Sequence, residues 1–418
     1  MSKPDLGPCP PRFVEIKKDI AASHPNFQER ITKAWNELLV ELEQVTAEIT
    51  DQGTEYVPQV TFSELANLGP ERVEEIRRKG SVVVRDVVDD AEASSWKDWL
   101  QEYVSTNPGI DGFPVEDKQF FQLYWTKSQV RARGHPNVLA VTSWLNNMYH
   151  VKSGAKIENV DLSTPLIYAD RFRIRHPGVQ WDAHPPHVDG GGIERWEDPT
   201  FRKCFADLLN GNWRDHDPYD LENRINARSS MYGRAGQATV FRTYQGWLAV
   251  SETAPREGTL QVFPSVYLSN AYTILRPFFR QIPGTENALD AKNWEYGTYL
   301  IARFPRCLLY RDWVPRALAK HQDAPTHEAR KNYGDVVHAV EKEHTGTGDS
   351  AVMYIPAVPF TPQNAAYVAR QKENFVKGIA PPDFPATNGE GSYAGVGRPE
   401  DIESPIGKRA MGFAIEVA

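Results

Sequence analysis

Cysteine is scarce in this chain of 418 residues: Cys9, Cys204 and Cys307 are the three that occur, and they lie far apart. An odd and scattered set of cysteines argues against a disulfide scaffold or a zinc–cysteine site, and it fits the reducing cytosol. Long apolar runs are missing too, because no stretch approaches the roughly 18 residues that a membrane-spanning helix needs. The start of the chain, 1–11, is polar and proline-rich, unlike a secretory signal. We therefore expect a cytoplasmic protein with no membrane partner.

An excess of basic charge is also absent. The chain carries 55 acidic and 47 basic residues, so its net charge is −8, and both signs are mixed throughout. This balance argues against a nucleic-acid partner. Aromatic residues, in contrast, are plentiful (11 Trp, 17 Tyr and 18 Phe), and we assign them first to core packing. A chain of this length can bury a sizeable core in one large domain or two, and its composition indicates no oligomeric state.

The first third of the chain is predicted to be mostly helical. Apolar residues recur at three- and four-residue steps over 26–52, which predicts an amphipathic helix. A second helix is expected to begin at Pro70 and to end before Gly80. The β-branched run 81–88 predicts a buried strand, and 91–106 returns to a helical pattern.

From about residue 166 the pattern changes to short strands and turns. Strands are predicted at 167–176, 239–250, 259–265, 297–304, 333–340 and 350–358, with helices at 269–280 and 363–377. A turn at 255–258 joins the second and third of these strands and predicts a hairpin, whereas 321–332 is polar and shows no pattern. We divide the chain into a helical N-terminal region, 1–80, and a catalytic domain, 81–418.

The residues that indicate chemistry are His187-Val188-Asp189, which three glycines follow. On an extended strand, residues i and i+2 point to the same side, so one imidazole and one carboxylate can face one point. They form two thirds of the 2-His-1-carboxylate triad that holds Fe(II) with open positions for other ligands. His184 is a rival ligand, but it lies out of phase with Asp189 and two prolines follow it.

A later histidine, His338, follows a Gly-Asp turn and completes the triad with His187 and Asp189. A His-x-Asp strand, further short strands and then a late histidine form the order of a jelly-roll, or double-stranded β-helix, in which the first and last ligand strands meet. We therefore predict an α+β fold with a cupin-like jelly-roll core, a helical N-terminal region and flanking helices. The alternative for His338 is an exposed turn histidine, and His344, in the polar turn beyond the strand, is its competitor.

Three arginines, Arg171, Arg173 and Arg175, alternate along the strand predicted at 167–176, so they share one face of it. Such a face is most often solvated. The alternative is that the arginines form the wall of a pocket that faces an anion, since an arginine fork pairs well with a carboxylate. Both interpretations remain open from the sequence.

Several segments together resemble the fungal and bacterial family catalogued as domain of unknown function 1479. That family is similar to Fe(II)/2-oxoglutarate-dependent oxygenases, with a layout like that of the phytanoyl-CoA hydroxylase group. The segments are 170–175, 187–191, 241–247, 337–340, 352–357 and 407–412. The resemblance implies a non-haem iron dioxygenase that uses Fe(II), 2-oxoglutarate and O2 to oxidise a small molecule. Some fungal members resemble enzymes that modify aliphatic amino acids in secondary metabolism, by hydroxylation or by ring closure to aziridines.

The chain departs from related oxygenases at two places. They often carry a cation soon after the distal histidine to pair with 2-oxoglutarate, whereas this chain has Asp349 and Ser350 there. Arg242, expected on a strand beside the His-x-Asp strand, is our first candidate for that cation, and Arg173 is the second. The second departure is the polar stretch 327–335, where the family has an apolar strand. The alternatives are a non-enzymatic jelly-roll binding protein with a decayed metal site, and a metal-dependent enzyme that does not use 2-oxoglutarate.

Overall fold

A computed structural model describes residues 11–298, 319–320, 329–333, 335–385 and 389–414, in which helices and strands are mixed. The α-helices, in chain order, are α1 (Arg12–Ala22), α2 (Phe27–Gln52), α3 (Pro70–Lys79), α4 (Asp90–Thr106), α5 (Lys127–Gly134), α6 (Pro136–Asn146), α7 (Glu194–Glu197), α8 (Pro199–Lys203), α9 (Ala206–Leu209), α10 (Val266–Leu275), α11 (Pro362–Lys377) and α12 (Pro405–Ala410). Short 3-10 helices lie at Gly53–Tyr56, Phe62–Asn67, Trp213–Asp215, Arg224–Asn226, Arg276–Phe278, Ala291–Asn293 and Pro399–Asp401.

The strands are short and follow one another through the whole described chain. They are β1 (Gln59–Thr61), β2 (Ser81–Arg85), β3 (Gly112–Phe113), β4 (Phe120–Phe121), β5 (Asp161–Leu166), β6 (Phe172–Arg175), β7 (Tyr244–Ala249), β8 (Leu260–Val262), β9 (Phe279–Gln281), β10 (Trp294–Tyr296), β11 (Ala319–Lys320), β12 (Ala329–Tyr333), β13 (His338–Val340), β14 (Ser350–Tyr354) and β15 (Val358–Phe360). No helix within the described ranges combines the length and the apolar character needed to cross a membrane.

The N-terminal helices form where the sequence predicts them. α2 covers the predicted amphipathic stretch, and its apolar stripe is buried around Trp35. α3 has Pro70 at its first position and ends at Gly80, whose φ of 63° is the left-handed conformation typical of a helix end. A Cβ on Gly80 would lie 2.7 Å from the Cβ of Val266 in α10. The glycine therefore both ends α3 and lets α10 approach closely.

Eight strands form the large sheet, in the order β1-β2-β12-β7-β14-β6-β4-β3. β1 and β2 are parallel, whereas the other neighbouring strands of this sheet are antiparallel. Because β1 comes from the predicted helical N-terminal region, that region and the rest of the chain share a sheet. The division of the chain at residue 80 stays a prediction.

A smaller sheet has the order β11-β8-β13, and His187 extends it through an antiparallel bridge to His338, the first residue of β13. From β6 onward the chain passes between the two sheets. The large sheet takes β6, β7, β12 and β14, and the small sheet takes the His187 segment, β8, β11 and β13. The predicted hairpin is therefore wrong: β7 and β8 lie in different sheets, because the turn between them carries the chain across.

The polar stretch before His338 contains a strand that its sequence does not indicate. β12 (329–333) lies between β2 and β7 and pairs with both along its length. Two flanking strands offer partners to every backbone group, and this pairing overrides the low strand preference of a polar segment. The predicted strand at 239–250 begins later, at Tyr244, and the predicted helix at 269–280 ends at Leu275. The strand predicted at 297–304 lies mostly outside the described residues.

Candidate metal centre

The structure brings His187, Asp189 and His338 together, with one ligand atom from each residue within 4.8 Å of the others. The Oδ1 atom of Asp189 lies 3.6 Å from Nε2 of His187, and its Oδ2 atom lies 4.0 Å from Nε2 of His338. Atoms that each lie about 2.1 Å from one ion are at most about 4.2 Å apart. Both of these distances therefore fit a shared metal ion.

Backbone pairing sets the relative position of the two histidines. The N–H of His187 donates to the carbonyl of His338, the N–H of His338 donates to the carbonyl of His187, and both distances are 2.9 Å. Directly opposite residues of an antiparallel pair project to the same face, so the two rings lie side by side with centroids 4.2 Å apart. Asp189 joins them because it lies two residues after His187.

Hydrogen bonds also fix which ring nitrogen is free to bind a metal. Nδ1 of His187 lies 2.6 Å from the carbonyl oxygen of Pro185, and Nδ1 of His338 lies 2.9 Å from that of Val336. A carbonyl only accepts, so each Nδ1 carries a hydrogen and each Nε2 is the ring nitrogen that would face a metal. In the described structure Nε2 of His338 accepts from the amide of Gln245 at 2.9 Å, a contact that a bound metal would replace. In metal sites generally, a hydrogen bond from the other ring nitrogen orients the histidine and selects its tautomer, and the two Nδ1 contacts would do so here.

The electrostatics of the cluster favour a neutral imidazole at His338 and an ionised carboxylate at Asp189. Burial, followed by the neighbouring His187, lowers the pKa of His338 to about 4. Burial would raise the pKa of Asp189, but His187, His338 and Arg242 together lower it to about 2. At neutral pH the cluster therefore offers a neutral His338 and an ionised Asp189, which is the donor set that a divalent cation requires.

Arg195 ties together the two chain segments that supply the ligands, and sequence reasoning missed it. Its guanidinium donates to the carbonyl oxygens of Asp189 at 2.6 Å and Gly191 at 2.5 Å, and to the carboxylate of Asp335 at 2.6 Å. Asp335 stands three residues before His338 and also pairs with Arg224 at 3.2 Å. Both Arg195 and Asp335 are buried, so this ion pair is shielded from water. Their separation in sequence left no signal by which to pair them.

The two arginines of β6, Arg173 and Arg175, are buried, so the interpretation of a solvated arginine face is wrong for them; Arg171 lies just before the strand. Arg173 and Arg175 are 0% exposed, and Arg171 pairs with Asp170 at 2.9 Å. The guanidinium of Arg175 donates to three carbonyl oxygens, those of Glu341, Val179 and Lys342. Arg173 differs: it donates to the carbonyl oxygen of Gly258 at 3.0 Å, but its Nε and Nη1 have no hydrogen-bond partner in the described structure.

A second unpaired donor lies close to Arg173. The buried hydroxyl of Tyr354, on the neighbouring strand β14, also has no partner among the described residues. The ring of Trp247 lies between these two side chains: it covers the guanidinium of Arg173 at 5.0 Å and meets the ring of Tyr354 edge-on at 5.8 Å. Burial raises the pKa of Tyr354, so its hydroxyl keeps its hydrogen. This face of the large sheet therefore presents buried donors that have no acceptor in the described structure.

His184, the rival ligand, lies beside the cluster but does not belong to it. Nε1 of Trp181 donates to Nδ1 of His184 at 2.8 Å, and the two rings stack at 5.5 Å. Burial, then Arg173 and His187, lower the pKa of His184 to about 3, so it is neutral and carries its hydrogen on Nε2. The other rival, His344, is buried and also lies outside the cluster formed by the described residues.

Arg242 lies in a cavity wall that adjoins the triad. It stands just before β7 rather than on the strand, and it is half-buried in the wall of a cavity that Gly190, Gln245 and Asp335 also line. Its charge contributes to the lowered pKa of both Asp189 and His338. Gln245, which the sequence did not single out, donates from its amide to Nε2 of His338 at 2.9 Å.

Known proteins resemble the chain along its whole length. The profile of a family described as Gig2-like matches residues 7–413. The uncharacterized protein YbiU of Escherichia coli (strain K12) is 28% identical over 420 residues, 96% of each chain. The crystal structure of GlcNAc Inducible Gene 2, GIG2 (DUF1479), from Candida albicans is 27% identical at a TM-score of 0.83, and the match covers 99% of this chain and 92% of that one.

Likeness to 2-oxoglutarate enzymes of known activity is much weaker. The carbocyclase SnoK from nogalamycin biosynthesis, a non-haem α-ketoglutarate-dependent enzyme, is 12% identical at a TM-score of 0.36, covering 72% of this chain and 96% of that one. This likeness is too low to carry an argument about activity. What the chain can do must therefore be argued from its own residues.

Proposed function

We propose that this chain, which belongs to the Gig2-like family, is an Fe(II)- and 2-oxoglutarate-dependent oxygenase that oxidises a small molecule. The observation that carries the proposal is the convergence of His187, Asp189 and His338, with both Nδ1 atoms engaged by carbonyl oxygens. Two imidazoles and one carboxylate around open positions are the donor set of non-haem Fe(II) oxygenases. His187, Asp189 and His338 would hold the ion.

The proposed metal and co-substrate fit the residues that are present. When bound, Fe(II) with 2-oxoglutarate and O2 would supply oxidative decarboxylation of the co-substrate coupled to oxidation of the substrate. The protein contributes position: Arg195 holds the Asp189 loop against Asp335, and the backbone pair holds His187 against His338. His338 is buried, whereas the side chains of His187 and Asp189 are 23% and 36% exposed, so the bound ligands would themselves have to exclude water from the reacting groups.

The co-substrate needs a cation for its distal carboxylate, and the unpaired donors favour Arg173 over Arg242. Nε and Nη1 of Arg173 and the hydroxyl of Tyr354 are buried without a partner in the described structure. A buried charged group without a partner is costly, and a bound carboxylate would remove that cost. Arg242 remains the rival, since it is half-buried in the wall of a cavity that adjoins the triad at Gly190. This reverses the order that the sequence gives to the two arginines.

We also infer that the core is a jelly-roll. The strand order supports this, since β6, β14, β7 and β12 are neighbours in one sheet while the His187 segment, β13, β8 and β11 are neighbours in the other. A chain that crosses repeatedly between two such sheets is the pattern of a double-stranded β-helix. It also accounts for the meeting of His187 and His338 at one edge.

Substrate and setting remain proposals that rest on the resemblance. An aliphatic amino acid, oxidised by hydroxylation or by ring closure in fungal secondary metabolism, is the substrate class that we propose to test first. We keep the cytoplasm as the proposed location.

The proposal is tested by measuring succinate release on addition of Fe(II), ascorbate and 2-oxoglutarate, with free amino acids screened as substrates. We expect succinate from the wild-type chain and none from Asp189→Ala. Iron binding without succinate would indicate a metal-dependent enzyme that does not use 2-oxoglutarate. Neither iron binding nor succinate would indicate a binding protein with a decayed metal site.

A further inference from the structure

A cavity beside the candidate metal centre has no role in the function proposed so far. It reaches the centre at Gly190, which follows Asp189, and at Gln245, whose amide nitrogen lies 2.9 Å from Nε2 of His338. Arg242 forms part of its wall. We call this space the Arg242 cavity.

We propose that the Arg242 cavity binds the substrate of the oxygenase, and that Arg242 pairs with a carboxylate on that substrate. This inference rests on the proposed function and deepens it, because it names the cavity and the residue that would hold the substrate's carboxylate. The substrate would be a small carboxylic acid with an apolar body, held with its apolar part toward the triad.

The charges that line the cavity favour an anion. Arg224 and Arg242 are the cations of the described lining and Asp335 is its anion. Asp335 is already paired with Arg195 at 2.6 Å and with Arg224 at 3.2 Å. The wall therefore has a positive excess, and a half-buried cation is stabilised by an anion that enters beside it.

Arg242 is free to accept such a ligand. It forms no hydrogen bond or ion pair within the described part of the chain, and its guanidinium lies 6.0 Å from the ring of Tyr168. The nearby carboxylate of Asp383 is occupied, because Thr239 donates to it at 2.7 Å and Tyr168 at 3.1 Å. A planar guanidinium with open donors matches a carboxylate in two parallel hydrogen bonds.

The rest of the wall suits an apolar body. Aromatic and aliphatic side chains make up much of it, namely Tyr149, Phe201, Ala227, Ala238, Val240 and Phe241. Ligand sites of this kind combine apolar walls with a few placed polar groups that fix orientation. Arg224 is paired with Asp335, so Arg242 is the cation of the described lining that is left for a ligand, and one such cation beside apolar walls favours a small carboxylate over a heavily charged or sugar-like molecule.

Arg173 does not compete for this role, because neither Arg173 nor Tyr354 lines the Arg242 cavity. Arg173 is fully buried on β6 under the ring of Trp247. The two guanidinium groups thus face different spaces. A co-substrate carboxylate and a substrate carboxylate would each have its own arginine.

The test uses a pair of probes that differ in charge but hardly in shape, 4-methylpentanoate and 4-methylpentanamide. Each is titrated by ligand-observed NMR into the full-length chain after chelator treatment, so that no metal competes for the carboxylate. We expect the wild-type chain to bind the acid about ten- to a hundredfold more tightly than the amide, the range that charge-assisted hydrogen bonds give. Arg242→Gln should reduce the acid to the level of the amide, and Arg242→Lys should restore part of the difference.

Two control variants make the result specific. Arg370→Gln removes an exposed arginine that also lies over a tyrosine, 5.8 Å from the ring of Tyr367, and should change nothing. Arg173→Gln should leave binding of the acid intact and weaken binding of 2-oxoglutarate to the Zn(II)-loaded chain. Arg242→Gln should weaken binding of the acid and leave binding of 2-oxoglutarate to the Zn(II)-loaded chain intact.

Three results would overturn the inference: equal binding of acid and amide by the wild-type chain, an unchanged preference in Arg242→Gln, or loss of 2-oxoglutarate binding in Arg242→Gln instead of Arg173→Gln. The last result would return Arg242 to the co-substrate and leave the oxygenase proposal standing. Failure of the wild-type chain to bind 2-oxoglutarate at all would sink the oxygenase proposal, whereas the acid–amide preference would still report on the cavity.

Discussion

Two interiors of this molecule are equally shielded from water and opposite in chemistry. Around α2, Trp35 is 0% exposed and stacks on Phe279 at 4.6 Å and on Tyr272 at 5.4 Å. Inside the large sheet, Arg173 is also 0% exposed, yet two of its nitrogens lack a partner in the described structure. Burying apolar rings stabilises a fold, whereas burying an unpaired cation costs stability. The second interior therefore carries a cost in stability that the aromatic interior does not.

The largest effect is expected from the triad itself. His187→Ala should abolish stoichiometric Fe(II) binding, because two remaining ligands hold the ion poorly, and the unfolding midpoint should hardly move since this side chain is 23% exposed. Metal analysis after dialysis measures the first and thermal melting the second. His150→Ala, which removes another partly exposed histidine, is the control. Iron bound as tightly by His187→Ala would show that the triad is wrong.

A substitution in the aromatic interior should lower stability and leave iron binding unchanged. Trp35→Ala is expected to lower the free energy of unfolding by about 3–5 kcal/mol, because it leaves a large cavity among packed rings. The folded fraction should still bind iron. Trp99→Ala, at a half-buried tryptophan over Lys127 and Arg131, should cost less in the same denaturant titration. A loss of iron affinity in Trp35→Ala would mean that the two interiors are coupled.

The buried carboxyl of Glu390 shows how burial changes a pKa when backbone N–H partners are present. It accepts from the N–H groups of Tyr124 and Trp125, but burial dominates and raises its pKa to about 7 from an ordinary value of 4.5. The folded chain therefore keeps a proton that the unfolded chain has lost. Stability from this group is full below pH 4.5 and falls as pH rises to about 7, by about 3 kcal/mol at 1.36 kcal/mol for each pKa unit.

Glu390→Gln should flatten that slope in unfolding titrations across pH 4.5 to 8. Glu400→Gln, at an exposed glutamate nearby, should retain the wild-type slope. A slope that survives in Glu390→Gln would assign the pH dependence to another group.

A smaller effect is expected at Arg195, which holds the ligand loop without touching the ligand atoms. Arg195→Gln should weaken metal binding about ten- to a hundredfold, the range seen when partners behind the ligands are lost. The metal titration should be run beside Arg228→Gln, whose arginine pairs with Asp198 at 2.9 Å and is largely exposed. Equal affinities in both variants would show that the loop is held by other contacts.

The smallest change in stability is expected at Arg173, the buried arginine that lacks partners for two of its nitrogens in the described structure. Arg173→Met replaces an unpaired buried cation by an apolar chain of similar length, so the free energy of unfolding should stay the same or rise. Binding of 2-oxoglutarate should fall. Arg175→Met is the control and should destabilise the fold, because it removes the donor of three carbonyl oxygens, one of them in a buried hydrogen bond and two in partly buried ones. Destabilisation by Arg173→Met would mean that its donors have partners after all.

The sequence predicts local features well and distant pairings poorly. The apolar period of α2, the Pro70 start and Gly80 end of α3, and the i and i+2 phase of His187 and Asp189 are local properties, and the structure has each of them. The inward turn of Arg173 depends on β6 lying inside the large sheet, which no short window reveals. The same holds for β12, whose strand state comes from its two neighbours.

The ion pair between Arg195 and Asp335 is the clearest example of a contact that the sequence pattern does not indicate. An arginine after a glycine run and an aspartate in a Gly-Asp turn are both ordinary surface residues in sequence. They become a buried ion pair only because the jelly-roll order proposed here brings their segments together. The residues alone make Arg173 an anion-binding candidate, whereas Arg242 is a candidate only through the family resemblance, and neither source indicates their different burial.

The reciprocal backbone bonds between His187 and His338 also bear on how this chain can change over evolutionary time. Because neighbouring backbone groups, rather than the path of the chain between them, set the spacing of the two imidazoles, the intervening segments can gain or lose residues without displacing either ligand. A one-residue slip at the bridge, in contrast, would turn one histidine to the opposite face. Insertions should therefore accumulate between β8 and β13 in descendants of this chain. The short segments on either side of the bridge should keep the same number of residues.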